Sequence, residues 1–173
     1  TKTGYVYRKC VYEVKRIYVS DPTYYHYNLL RLGRSYLNYA EIMLRQGNVN
    51  EAIVYINKTR TKHGNLPELP QGLSLEDAWS EYKRERRVEL TMEGDRYWSL
   101  LRWGKVAGQE TIAELNLTHQ AISISADGKN FEFIPLPYRA NDNIRVFTSK
   151  RYLMPVPQSE RDMNPSLDQN QGW

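Results

Sequence analysis

One cysteine, Cys10, stands in 173 residues, which excludes an intrachain disulfide framework and any multi-cysteine zinc site. Histidine is almost as scarce: His26, His63 and His119 lie far apart, at no metal-ligand spacing. No apolar run approaches the roughly 18 residues of a membrane-spanning helix. No GxSxG, P-loop, GxGxxG or HExxH pattern occurs, and no Ser, His and Asp fall into a recognisable triad motif. These gaps weaken the case for an enzyme without closing it. Gly/Ser-rich linkers and low-complexity runs are also missing, so one domain is expected over residues 1–173.

Charge shows no strong bias of sign. The 24 basic and 20 acidic residues give a net +4, and the pI is near 9.1. That balance would suit an acidic partner, but the two signs are interleaved. We therefore read a solvated mixed surface, with no nucleic-acid footprint. Tyrosine is what the chain has in excess: 14 of them, with Trp79, Trp98, Trp103 and Trp173. Such rings bury large areas while keeping a polar tip, which suits cores, interfaces and sugar-stacking surfaces alike.

The pattern along the chain is mainly helical. Residues 5–19 alternate β-branched or aromatic with charged residues, which predicts a strand or two extended segments. Leu30, Gly33, Leu37, Ala40 and Leu44 then form one helical stripe, and Leu29, Leu32, Tyr36, Tyr39 and Met43 a second. Their combined width predicts a helix over about 24–46 that is buried on more than one side. Gly47 supplies a left-handed stop. Asn48 with Glu51 reads as a capping box opening a helix over about 49–63, closed by Gly64 and packing back through Val49, Ala52, Ile53 and Ile56. A Pro/Gly loop spans 65–73. Ser74 with Asp77 starts a helix over 75–93, Gly94 interrupts it, and Asp95 to Trp103 continue to Gly104. A short helix is allowed within 106–118. AISIS and FEFIP around Asp127-Gly128 predict a β-hairpin, and residues 144–147 another extended piece. The C-terminal tail is expected to be extended, with at most one helical turn. Leu30 to His63 has the length of a tetratricopeptide hairpin and carries Leu32-Gly33-x-x-Tyr36. Such a hairpin cannot bury its own faces and must stack on something else.

Chemistry would have to come from the charge cluster at 81–96. Glu85, Glu89 and Glu93 could in principle supply the paired carboxylates of a glycoside hydrolase, which must flank a cleft. Acids on one helix face point the same way, which suits that role poorly. The reading we adopt is a structural ion network of Glu85, Arg86, Arg87, Glu89, Glu93 and Arg96, in which guanidinium groups fork onto carboxylates. Cys10 reads as a small packed side chain. Trp79, Tyr82, Trp98 and Trp103 share faces with apolar residues and read as core. Tyr24, Tyr25 and Tyr138, in loops, are the aromatic ligand candidates.

Three blocks resemble one family in order and spacing. Leu30-Arg31-Leu32-Gly33 through Leu37-Asn38-Tyr39-Ala40-Glu41 to Ala52 and Ile56-Asn57-Lys58-Thr59-Arg60 is similar to the central helical hairpin of the SusD/RagB family. Glu85-Arg86-Arg87-Val88-Glu89-Leu90 with Glu93-Gly94-Asp95-Arg96-Tyr97-Trp98 and Arg102-Trp103-Gly104 resembles its most distinctive motif. Leu153-Met154-Pro155-Val156-Pro157 through Asn164-Pro165 to Gly172-Trp173 is similar to its C-terminal signature. Ser99 stands where the motif usually has Asp, and Gln171 where Pro is common.

The resemblance implies a mainly α, SusD-like fold: a tetratricopeptide-like hairpin, further helices, a small β-hairpin and an extended C-terminal tail. It also implies a Bacteroidetes-type outer-membrane lipoprotein that binds glycan, or in some members peptide, without catalysis or cofactor. Such a protein passes its ligand to a TonB-dependent, SusC-like transporter. A helical-repeat scaffold for protein partners is the alternative outside that reading. Family members are about three times longer, and the chain starts at Thr1 with no signal peptide in TKTGYVYRKC. It is therefore expected to be the C-terminal part of a longer protein, with any lipid anchor outside these residues.

Overall fold

A computed structural model describes Lys9 and residues 28–116, 120–135 and 146–173. The expected strand over 5–19 lies outside these residues except for Lys9. Among the described residues the architecture is mainly helical, with one two-stranded antiparallel sheet. Two compact units are present, one formed by Lys9–Arg96 and one that contains Tyr97–Trp173.

The first unit is built on helices α1 (Leu32–Arg45), α2 (Val49–Lys62) and α3 (Leu75–Glu89). Gly47, at φ 78°, ends α1. Its N–H and that of Asn48 bond back to the carbonyls of Leu44 and Met43, at 3.1 and 2.8 Å, the double closure of a Schellman turn. That turn folds α2 back along α1. Leu37, Ala40 and Leu44 meet Ala52, Ile53 and Ile56, with Ala78 and Tyr82 of α3 completing a core closed to solvent.

Several boundaries differ from those read in the sequence. Helix α1 starts at Leu32: Arg31 is extended (φ −130°, ψ 142°) because its side chain reaches the far end of α3. Leu30 therefore falls outside the stripe and is 88% exposed. The second stripe is not buried either. Leu32 and Tyr39 are exposed, and Tyr36 and Met43 half-buried. Asn48 makes no capping bond, since closing α1 leaves its backbone outside the extended conformation that a cap needs. The left-handed residue after α2 is Asn65, at φ 49°, and not Gly64. Ser74, in contrast, caps α3: its Oγ accepts from the Asp77 N–H at 3.1 Å and donates to the Asp77 carboxylate at 2.6 Å. Helix α3 stops at Glu89, before the predicted end, because Met92 and Gly94 both take positive φ in the corner that follows.

Helix α4 (Asp95–Val106) runs on from that corner into the second unit. Its stop is Gly108, at φ 64°. Gly104 stays helical, and its lack of a side chain serves packing instead: a Cβ there would collide with the Tyr152 hydroxyl and lie 3.0 Å from Ile112. Helix α5 (Ala113–Asn116) follows, then strands β1 (Gln120–Ile124) and β2 (Phe131–Pro135), paired in register from Gln120↔Pro135 to Ile124↔Phe131. Asp127 anchors the turn by accepting from Ser125 Oγ and the Lys129 N–H, while Gly128 takes φ 71°. Residues 144 and 145 lie outside the described residues, and Val146 and Phe147 are not in a strand. The tail holds more helix than expected: a 3₁₀ turn at Ser149–Tyr152 and helix α6 (Gln158–Met163). Side chains read the tail's backbone. Gln169 accepts from Val156 N–H and donates to its carbonyl at 2.8 and 3.1 Å, and the Trp173 indole donates to the carbonyls of Lys150 and Leu153.

Candidate functional site

The charge cluster occupies the interior of the first unit. Arg86 on α3 is its centre and is 4% exposed. Its guanidinium forks onto Asp95, donating from Nε at 2.8 Å and from Nη2 at 2.7 Å. The remaining donor, Nη1, reaches Asn38 Oδ1 and the Tyr82 hydroxyl, both at 2.9 Å. Tyr82 in turn donates to Glu41 at 2.7 Å, and Glu41 accepts from Arg45 at 2.8 Å. A polar chain thus runs from the last turn of α1 through α3 to the first residue of α4. Burial pushes the Tyr82 hydroxyl far above its ordinary pKa. Burial would lower that of Arg86, but its bonds to Asp95 and Tyr82 together outweigh burial and keep the guanidinium charged.

The other acids are paired as well. Glu85 is buried and accepts from the Thr59 hydroxyl at 2.7 Å. Burial raises its pKa, and the Thr59 bond only partly offsets the rise. One oxygen of Glu89 faces Arg31 at 2.7 Å and His63 Nδ1 at 2.8 Å. Gly33 permits this approach, since a Cβ there would lie 2.6 Å from that oxygen. Glu93 accepts from Lys9, from Arg31 at 2.8 Å and from Arg34 at 3.3 Å. Burial opposes its ionisation, but Lys9 and Arg31 outweigh burial and hold its carboxyl below the usual range. Arg87 differs from its neighbours in being exposed, and it shares none of these bonds; Arg96 is half-buried where α4 begins. The three glutamates proposed for hydrolysis are engaged with cations or with Thr59. Among the described residues, no three His, Cys, Asp or Glu side chains could hold a metal ion.

Tyr24, Tyr25 and Tyr138 lie outside the described residues. The described aromatics instead place a cluster on one flank of the α1–α2 hairpin. Tyr55 packs against Tyr39 at 4.3 Å and Tyr36 at 5.8 Å between ring centroids. Lys58 Nζ stands 3.8 Å from the Tyr55 centroid and 4.9 Å from that of Tyr36. Tyr36 and Tyr39 read in the sequence as part of a buried face, Lys58 stood there only as a member of the block Ile56–Arg60, and Tyr55 was not singled out. The available signal was the Tyr55-x-x-Lys58 spacing on an outer face of α2. In the second unit Tyr97 and Trp98 are exposed neighbours at 5.4 Å, so Trp98 is not the core residue expected.

With this geometry in hand, the family follows from comparison. A sequence model of the SusD family matches residues 1–173. The chain belongs to the SusD family. Among solved structures, it is similar to a SusD-like protein from Bacteroides fragilis at 28% identity and TM-score 0.63, over 84% of this chain and 25% of that one. A SusD superfamily protein from Parabacteroides distasonis is similar at 26% identity and TM-score 0.53, over 82% of this chain and 26% of that one. This SusD-family chain therefore spans about a quarter of the length of those relatives. No curated protein matches it.

Proposed function

We propose that the chain is the C-terminal part of a SusD-type capture protein, one that binds glycan at the cell surface and delivers it to a TonB-dependent, SusC-like transporter. Binding occurs without catalysis, and a lipid anchor outside these residues holds the protein to the outer membrane. Residues 1–173 form one domain's worth of that longer protein. The family match along all 173 residues carries this reading. The carboxylate chemistry supports it: Glu85, Glu89 and Glu93 are bonded internally and are not free to flank a sugar. No helix among the described residues is long and apolar enough to cross a membrane. A glycan array with a parallel peptide panel tests the proposal on the intact protein. Saturable binding of an oligosaccharide with no product formed is the expected result. Binding of peptides alone would redirect the ligand class within the family, and a blank on both would overturn the reading.

A further inference from the structure

Arg34 is the most loosely held of the cations around Glu93. Lys9 and Arg31 both take Oε1 of Glu93, and Arg31 also takes the Glu89 oxygen. Arg34 is left with the Glu93 carbonyl at 3.1 Å, Oε2 of Glu93 at 3.3 Å and Asp95 at 3.8 Å. Charge-assisted bonds between such groups settle at about 2.7–2.9 Å. Asp95, moreover, is already forked by Arg86. The Arg34 Nε–H is buried and meets no acceptor, so that donor has lost its water without a replacement bond. Among the described residues, three half-buried cations, Lys9, Arg31 and Arg34, thus share two carboxylates, Glu89 and Glu93. The same end of the unit carries uncovered apolar side chains. Leu29 and Leu30, which lead into Arg31, are 81% and 88% exposed, and Met92, beside Glu93, is 55% exposed. An element that covers this end has to bring apolar side chains together with one negative charge. The match covers only about a quarter of each solved relative, so a protein of their length has the polypeptide to provide it.

We propose that Arg34 docks the rest of the longer chain: a segment preceding Thr1 seats on Leu29, Leu30 and Met92 and sets an Asp or Glu carboxylate against the Arg34 guanidinium. The proposal rests on the reading of residues 1–173 as the C-terminal part of a SusD-type protein, and gives one internal interface of that protein its chemistry. The carboxylate accepts from the Nε–H and neutralises the third cation, while the apolar groups take the leucines out of water.

The test is carbodiimide coupling on the intact, longer protein carrying Arg34→Lys, read by peptide mass spectrometry. Carbodiimide joins an amine to a carboxylate in direct contact, and Lys9 with Glu93 is the internal standard. Position 34 should be found joined to an acidic residue preceding Thr1, a product that the parent protein, with arginine there, does not form. Replacing that acid by its amide, and Arg34 by Gln, should each lower the melting temperature of the intact protein. The double variant should lose no more than the worse single one. A Lys9–Glu93 product with no link from position 34 to a residue before Thr1 overturns the proposal, and so do additive losses. Absence of the Lys9–Glu93 product overturns it too, because the cluster it builds on is then not formed. Saccharide binding measured on the parent protein separates the two readings: capture retained without the link removes this interface alone, whereas the link found without capture removes the glycan reading alone.

Discussion

Glu85 and Glu93 belong to one motif yet respond to pH in opposite senses, because one is buried against a hydroxyl and the other among cations. Glu93 titrates below its ordinary value of 4.5, so the unfolded chain takes up its proton first as pH falls. Its stabilising contribution is therefore complete above about pH 4.5 and is lost as pH drops through the folded value. Glu93→Gln should cost about 2 kcal/mol at neutral pH, the range for hydrogen bonds to charged groups. In urea unfolding the gap from the parent chain should close at low pH, and a gap constant down to pH 3 would contradict the pairing. Glu85 titrates above its ordinary value, so the folded state holds the proton longer. Ionising it costs stability, and the cost sets in as pH rises through 4.5 and is complete above the folded value. Glu85→Gln keeps an acceptor for Thr59 and removes the buried charge. It should be nearly neutral at acidic pH and stabilising at pH 7, the reverse of Glu93→Gln. A Glu85→Gln variant less stable at pH 7 than at pH 4, relative to the parent, would sink this assignment.

At the scale of elements, the docking of α1 depends on a missing side chain. Replacing Gly33 by Ala gains about 1 kcal/mol of helix propensity, but the new Cβ would press on the Glu89 oxygen that holds Arg31 and His63. We expect Gly33→Ala to destabilise the chain, and the same change in a Glu89→Ala background to stabilise it by about 1 kcal/mol. A double-mutant cycle checks this, and additivity would show that the two residues are not coupled. Ser74→Ala should cost about 1 kcal/mol through the lost cap of α3, and measurably less in an Asp77→Ala background, where the Ser74 hydroxyl has already lost the Asp77 carboxylate. The cap of α3 was legible because Ser74 and Asp77 are local to one turn. So were the Gly47 stop and the Asp127-Gly128 hairpin. The start of α1 was not, since Arg31 is pulled out of the helix by a glutamate far along the chain. Nor could spacing reveal that Asn48 would be committed to closing α1 instead of capping α2. Within the charge cluster, the residue types announced pairing but not partners. Thr59, Tyr82, Glu41 and Asn38 entered it only through folding, and Arg87 stayed outside.

For the molecule as a whole, the apolar residues that remain exposed are as informative as those that are buried. Leu29, Leu30, Leu32 and Ile42 are 81%, 88%, 64% and 49% exposed along or just before α1, and Val54 on α2 is 42% exposed. A tetratricopeptide-type hairpin leaves such a face for a neighbouring element to cover, and exposed apolar patches of this kind otherwise promote association. The solved relatives are more than three times as long as this chain, which is ample polypeptide for that purpose. The 173-residue chain alone should therefore bind a hydrophobic dye such as ANS more strongly, per molecule, than the longer protein of which we propose it is a part. It should also associate more readily at micromolar concentration, by light scattering. Substituting Leu32 and Ile42 by Ser should lower both signals in the short chain with modest loss of its stability, because both side chains are exposed there. In the longer protein the same pair should cost about 2 kcal/mol or more, the price of removing two buried aliphatic groups. Equal melting shifts in both settings would mean that the face is solvent-exposed in the complete molecule, and that what it meets is a separate partner and not the rest of its own chain.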